Sequence, residues 1–377
     1  MTSTLRGRIE LTGLTAAPSQ VVGAVRLVPL LRDEPVAGLR LYAVKQPAAL
    51  TVARLDRRTV YAAYVPHALV AELPGIAQPR ASAGAQLVRP DADPSAVFRV
   101  QVIHRLARKE GRGRLRFLPQ HVGLDGYLSV GFCGPSTRWP EYSREVLSRG
   151  LSPRVEEITR ALELPGFRDA LRTFERHPRQ VGVLVFVADA FALALVTPHP
   201  DDYRQLHRAL LRDMLGELLL QYAVLHPRAP ALWQPIDASR VDSLAALSQA
   251  VEAARAEWGQ FAGLMASGLV AREVDWQVLH RLGRFRLQRF LPDFNPSQEN
   301  HLGEAIVDED GAIAYLKTYR LSAAQARRGR LLATLVASDW RVDACAEALR
   351  ISRAELLARL RNNGLGRLLK PGALALR

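Results

Sequence analysis

The chain has 377 residues, room for two or three domains with cores of their own, and its 48% hydrophobic and 23% charged residues exclude wholesale disorder. The formal net charge of +14 is almost wholly arginine, since only four of the 51 basic residues are lysines, so local clustering of charge says more about partners than the total does. Two isolated cysteines, Cys133 and Cys345, exclude a disulfide framework and a cysteine-based metal centre.

From residue 20 to about 135 the pattern is β-rich, in short runs at Ala24–Leu31, Leu39–Val44, Leu50–Leu55, Thr59–Val65, Phe98–Leu106 and Tyr127–Phe132. Turn formers such as Asp33-Glu34-Pro35, Gly38 and Pro47 separate them, which predicts a sheet or sandwich. Residues 74–94, rich in Ala, Gly, Pro and Asp, read as a long loop on that sheet. Helical patterns follow from Glu141 to His177, with Pro153 and Pro165 at first-turn positions.

Val181–Ala188 is continuously apolar and β-branched, which predicts a strand buried on both faces, with Ala192–Thr197 beside it. Pro200 opens the clearest helix. Asp201 and Asp202 complement its dipole, and Tyr203, Leu206, Leu210, Met214, Leu218 and Tyr222 recur at three- and four-residue steps. Beyond a proline-rich connector at 227–235, Val241–Trp258 and Phe261–Phe290 read as two further helices. Pro292-Asp293-Phe294-Asn295-Pro296 breaks the chain, and Ala305–Tyr319 reads as a β-hairpin around Asp310-Gly311.

Three short apolar-periodic segments occupy Leu331–Leu365. Each is too short to hold a helix alone in water, so they must pack together. Leu331, Leu332 and Leu335 lie on the first; Val342, Cys345 and Ala346 on the second; Leu356, Leu357 and Leu360 on the third. Ser352-Arg353-Ala354-Glu355 has the hydroxyl and carboxylate spacing of a capping box, Asp339 offers a cap for the second helix, and Gly364 suits a helix C-terminus. A short helix, a tight turn and a second helix with an open basic face is the helix-turn-helix arrangement. Residues 321–377 carry 11 basic and 4 acidic side chains, a net +7, half of the charge of the whole chain. Such clustering is the footprint of a phosphate-binding surface.

At these residues the stretch resembles the Fis-type helix-turn-helix. Ile351-Ser352-Arg353 matches its usual entry to the recognition helix, Leu356 and Leu360 its core leucines, and Gly364-Leu365 its end. It departs from the family at Trp340-Arg341, where Gly-Asn is usual, at Arg350, where a turn glycine is usual, and at Glu355 and Leu357, where a polar-aromatic pair is usual. The resemblance implies binding of double-stranded DNA as a homodimer, with two recognition helices about one helical turn apart. Arg353 and Arg359 are the candidates for base-edge or groove contacts, and Ser352, Arg361, Asn362 and Asn363, with Arg341 and Arg350 nearby, for phosphate contacts or caps.

The region from Phe117 to Tyr222 resembles a bacterial family named for its association with ADP-ribosylglycohydrolases, rhodaneses and phosphatases. Trp139-Pro140-Glu141-Tyr142-Ser143 and His199-Pro200-Asp201-Asp202-Tyr203 carry the resemblance, which implies a possible nucleotide-type ligand related to NAD or ADP-ribose and assigns no reaction. Cys133 sits in a Gly/Pro turn, read either as a presented nucleophile with His121, His177 or His199 as base, or as a small residue filling a tight turn. His199, Asp201, Asp202 and His207 have the side chains of a metal site, but a helix N-terminus already accounts for the aspartates, and Glu217 reads as a salt-bridged surface acid. Walker, GxGxxG, HExxH, GxSxG and CxxC motifs are absent, so no catalytic residue, cofactor or metal is assigned.

The sequence thus predicts an α+β protein. A β-rich N-terminal region spans 1–135, a mixed α/β middle region packed with it 136–291, a connector with a hairpin 292–320, and a small all-α helix-turn-helix 321–377. The longest apolar run, Val181 to Val196, is broken by Asp189 and too short to cross a bilayer, and the N-terminus has no apolar signal core, so a cytoplasmic protein without a membrane partner is expected. The leading functional reading is a transcriptional regulator with an N-terminal portion that senses a ligand or partner. The alternative is an enzyme or adaptor acting on NAD-derived or ADP-ribosylated molecules, with a structural tail.

Overall fold

A computed structural model describes residues 4–41, 173–174, 176–187, 190–210, 228–229, 236–321, 323–363 and 365, together with short segments between 52 and 116. Its centre is a ten-stranded antiparallel sheet. The strands are β1 (Thr4–Arg8), β2 (Thr15–Ala16), β3 (Gln20–Val22), β4 (Val25–Leu31), β5 (Gln180–Val187), β6 (Ala190–Val196), β7 (Glu273–Leu282), β8 (Phe285–Leu291), β9 (His301–Val307) and β10 (Ile313–Arg320). They lie in the order β1-β7-β8-β9-β10-β6-β5-β4-β2, with β3 also on β4. Among the described residues six α-helices accompany them: α1 (Pro200–Ala209), α2 (Leu244–Met265), α3 (Ser267–Val270), α4 (Ala323–Ala337), α5 (Val342–Ala348) and α6 (Arg353–Asn362). The protein is therefore a mixed α+β fold.

The N-terminal segment forces the sheet to curl. β1 lies on one edge and β2 on the other, eight strand spacings away, which is about 38 Å in a flat sheet. The link from Arg8 to Thr15 is seven residue steps, about 24 Å when fully extended. The edges therefore approach each other. Ile9 of that link is buried in the apolar cluster of the inner face with Leu30, Phe186, Trp276 and Phe290, and the last turn of α2 joins them through Ala262 and Ala266.

The outer face carries Val25, Val185, Leu195, Leu287, Ile306 and Tyr315, and packs against α1 and against all three C-terminal helices in a second cluster. In α1, His199 caps the N-terminus by accepting from the Asp201 N–H at 3.0 Å. Asp202 is buried, held by Arg40 at 2.8 Å and the Leu41 N–H at 3.2 Å, so it ties α1 to the strand at Arg40–Leu41.

A row of polar side chains crosses the outer face, because register partners on adjacent strands point the same way. Gln277, Arg289, Glu304 and Lys317 stand side by side on β7, β8, β9 and β10. The last three are buried. Arg289 Nε donates to Gln277 Oε1 at 2.7 Å, and Tyr315 OH donates to Glu304 at 2.9 Å. The Lys317 ammonium lies 5.8 Å from the centre of the Tyr319 ring. Burial pushes the Lys317 amine down to about 7 against the opposing pull of Glu304.

Several expectations need correction. Phe261–Phe290 is not a helix: α2 continues to Met265, and residues 273–291 form the β7–β8 hairpin. Apolar and polar residues alternate with period two over residues 273–278 and 285–288, and Gly283 supplies the left-handed turn residue with φ 63°. The hairpin expected at Ala305–Tyr319 around Asp310-Gly311 is formed, with its turn at Asp308–Ala312, but residues 301–320 are two central strands buried on both faces and not part of a connector. Two short strands, Arg80–Ala81 and Ala85–Val88, interrupt the loop read at 74–94. The strands expected at Phe98–Leu106 and Tyr127–Phe132, most of the helical stretch expected from Glu141 to His177, and His121, Cys133, Glu217 and Gly364 lie outside the described residues, and the described end of that stretch, residues 173–174 and 176–177, is not helical. No helix among the described residues is long and apolar enough to cross a membrane.

Candidate nucleic-acid interface

The three C-terminal helices share one apolar centre. Leu331, Leu332 and Leu335 of α4 are buried with Cys345 of α5 and Leu356 and Leu360 of α6. Burial pushes the Cys345 thiol up to about 11, so it serves as a core side chain and not as a nucleophile. None of these helices exceeds 15 residues, and packing, more than propensity, holds them.

The turns between them use an uncommon backbone. Asp339 and Trp340 have φ of 50° and 60°, and Arg350 has φ of 54°, the left-handed region that favours glycine. Trp340 and Arg350 are the two positions where the resemblance expects glycine. The cap of α5 is Arg341, which makes no side-chain capping bond, and Asp339 is a turn residue, not a cap. α6 begins as the sequence predicts, with Ser352 Oγ accepting from the Glu355 N–H at 3.1 Å. The other half of the box is not made this way: the Glu355 carboxylate turns forward to Arg359 at 2.7 Å. Asn363 closes the helix by donating from Nδ2 to the Arg359 carbonyl at 2.7 Å.

The outward face of α6 presents Arg353, Arg359, Arg361 and Asn362, all exposed, with Arg341 and Arg350 exposed on the adjoining turns. Arg353 Nη1 lies 2.7 Å from both carboxylate oxygens of Asp343 on α5. Arg353 and Arg359 are thus engaged with acids, whereas Arg341 and Arg361 form no ion pair among the described residues. Pairs this exposed stabilise by less than about 1 kcal/mol and yield readily to a stronger anion.

The unit is fastened to the sheet from below. Phe294, between β8 and β9, is buried with φ 54° and rests in a notch at Gly329 of α4. A Cβ added at Gly329 would meet the ring Cγ at 3.0 Å and other ring carbons closer still. This plug-and-notch contact was not legible in the sequence, where Pro292–Pro296 reads only as a break.

The side chains considered for metal binding each have another task. His199 and Asp202 act as described above, Asp201 pairs with Arg204, and His207 Nδ1 lies 3.1 Å from the Tyr203 hydroxyl. No group of three or more His, Cys, Asp or Glu positioned for a metal occurs among the described residues.

A family model, ARPP-2, matches residues 9–283, well over half of the chain. The chain belongs to the ARPP-2 family. The match to ARPP-2 ends at the β7–β8 turn, so β8 to β10 and the three C-terminal helices lie beyond it although they share its sheet and core. No curated protein matches the chain. Among solved structures, a bifunctional dehydratase-cyclase domain in ambruticin biosynthesis aligns with 84% of this chain and 79% of its own at 14% identity, with a TM-score of 0.11, a superposition too poor to carry an argument about the fold.

Proposed function

We propose that this ARPP-2 protein is a DNA-binding transcriptional regulator that reads double-stranded DNA as a homodimer through a C-terminal Fis-type helix-turn-helix, with α6 as recognition helix and the remainder sensing a ligand or partner. The observation that carries the reading is the backbone at Trp340 and Arg350. Both adopt the left-handed conformation at the positions where the resemblance expects glycine, which supports the reading although the residues differ. The capped N-terminus of α6 and its exposed arginines supply the groups that enter a major groove.

The test is fluorescence anisotropy of the full chain on random duplex DNA at two salt concentrations. Removing the tail is unsuitable, because α4 to α6 complete the core on the outer face of the sheet. Point variants on α6 serve instead. Binding should fall steeply with salt, Arg361→Ala should reduce the salt slope by about one unit, and Arg353→Ala should cost roughly 1–3 kcal/mol on a selected site. Affinity unchanged in the combined Arg353, Arg359 and Arg361 variant would end this reading. The tail would then be structural, and attention would pass to Cys133 and nucleotide ligands.

A further inference from the structure

Of the three arginines on the outward face of α6, two are engaged with acids, and the two acids are placed differently. Glu355 is one turn before Arg359 on the same helix, an i,i+4 pair that travels with α6 whatever it meets. Asp343 stands in the first turn of α5 and reaches across to Arg353, the first residue of α6. That pair joins the two helices at the end of α6 that enters a groove in a helix-turn-helix.

The geometry leaves most of the guanidinium open. Nη1 donates to Asp343, at 2.7 Å to each carboxylate oxygen, and Nε and Nη2 carry no hydrogen bond among the described residues. Nε and Nη2 form the side edge of the fork, two parallel N–H groups that match either a phosphate or the O6 and N7 acceptors of guanine. Asp343 thus holds the arginine by one corner while the side chain stays exposed and its second edge stays available.

Charge decides which acceptor that edge prefers. A phosphate beside Asp343 meets a guanidinium whose charge is already offset and a carboxylate that repels it. The guanine edge is neutral and loses little by the same neighbour. The bond to Asp343 also restricts the rotamers of a long side chain before any DNA arrives, which favours the acceptor pair that demands one fixed geometry.

We propose that Asp343 is a specificity-determining residue of the DNA site, holding Arg353 by Nη1 so that its Nε and Nη2 edge reads guanine in preference to phosphate. The inference rests on the DNA-binding reading and gives a task to an acid within the basic face.

The experiment selects a duplex site for the full chain from a random pool, then compares anisotropy titrations of that site and of random duplex for the unaltered chain and for Asp343→Asn. Asparagine keeps the size of the side chain and one acceptor for Nη1 while removing the charge. Random-duplex affinity should rise about fivefold, with a salt slope steeper by about one unit, because Arg353 becomes available to a phosphate. Affinity for the selected site should change little, so the ratio of the two affinities should fall. The guanine read by Arg353 is the position whose exchange no longer matters in Arg353→Gln. Exchanging it should cost about tenfold in the unaltered chain and much less in Asp343→Asn. Glu347→Gln is the charge control: Glu347 is exposed on α5 and forms no ion pair among the described residues, so its loss should shift both duplexes alike and keep the ratio. Circular dichroism confirms that each variant is folded. An unchanged ratio in Asp343→Asn, a change equalled by Glu347→Gln, or one that persists in the Arg353→Gln background would overturn the inference while leaving DNA binding in place. Absence of duplex binding by the unaltered chain at low salt would instead end the DNA-binding reading and this inference with it.

Discussion

Gly329→Ala is the sharpest probe of how the C-terminal helices are fastened. In an unencumbered helix interior the exchange stabilises by about 1 kcal/mol, because glycine has the larger backbone entropy to lose. At position 329 the new Cβ points into the buried Phe294 ring, whose Cγ would lie at 3.0 Å with other ring carbons nearer. Relief requires α4 to lift or the ring to leave its site, and overpacking of this kind costs typically 1–3 kcal/mol. After the propensity gain is subtracted, a net destabilisation of about 1 kcal/mol is expected in urea unfolding. Phe294→Ala alone should cost roughly 3–5 kcal/mol. In that background the sign should reverse, Gly329→Ala then stabilising by about 1 kcal/mol, for a coupling of about 2 kcal/mol. Stabilisation by Gly329→Ala in the otherwise unchanged protein would refute the notch.

Arg350→Gly should raise stability by about 0.5–1 kcal/mol, read from the urea midpoint, since an exposed residue with φ of 54° carries strain that glycine does not. Ser352→Ala should lower it by about 1 kcal/mol through loss of the bond to the Glu355 N–H, with a matching loss of helical ellipticity. Lys317, pushed down to about 7 in the fold from 10.5 in the unfolded chain, makes the unfolded state bind more protons between those values. Stability should therefore rise with pH across that window, by on the order of 1 kcal/mol per pH unit. Lys317→Met should flatten the rise, and an equal slope in that variant would assign it to other groups.

How legible the structure is in the sequence depends on which periodicity dominates. β5 was readable because eight consecutive residues are buried on both faces, a pattern with few rivals. α6 was readable because Ser352, Leu356 and Leu360 combine a cap with a stripe at helical spacing. The β7–β8 hairpin was misread because the apolar positions Leu279, Leu282 and Phe290 also fit helical steps, and the alternation that decides the matter is interrupted by a bulge between Val278 and His280. The central place of β9 and β10 rests on pairings with β8 and β6, which local pattern does not encode. At the candidate interface the arginines were legible as residue types. Glu355 stands at the i,i+4 spacing that suits a pair with Arg359, whereas the Asp343–Arg353 pair was not legible because it depends on how α5 crosses α6.

The placement of β1 has a consequence for how the molecule is made. Thr4 faces Gln277, so β1 leaves the ribosome long before its partner, whereas β2 and β3 can pair with β4 as soon as it is made. At ordinary elongation rates β1 waits on the order of tens of seconds for β7. Through that interval it is an open edge with nothing to complete it, and closure of the sheet must await synthesis of β7. The same short link that curls the sheet therefore sets the time at which its two ends can first meet.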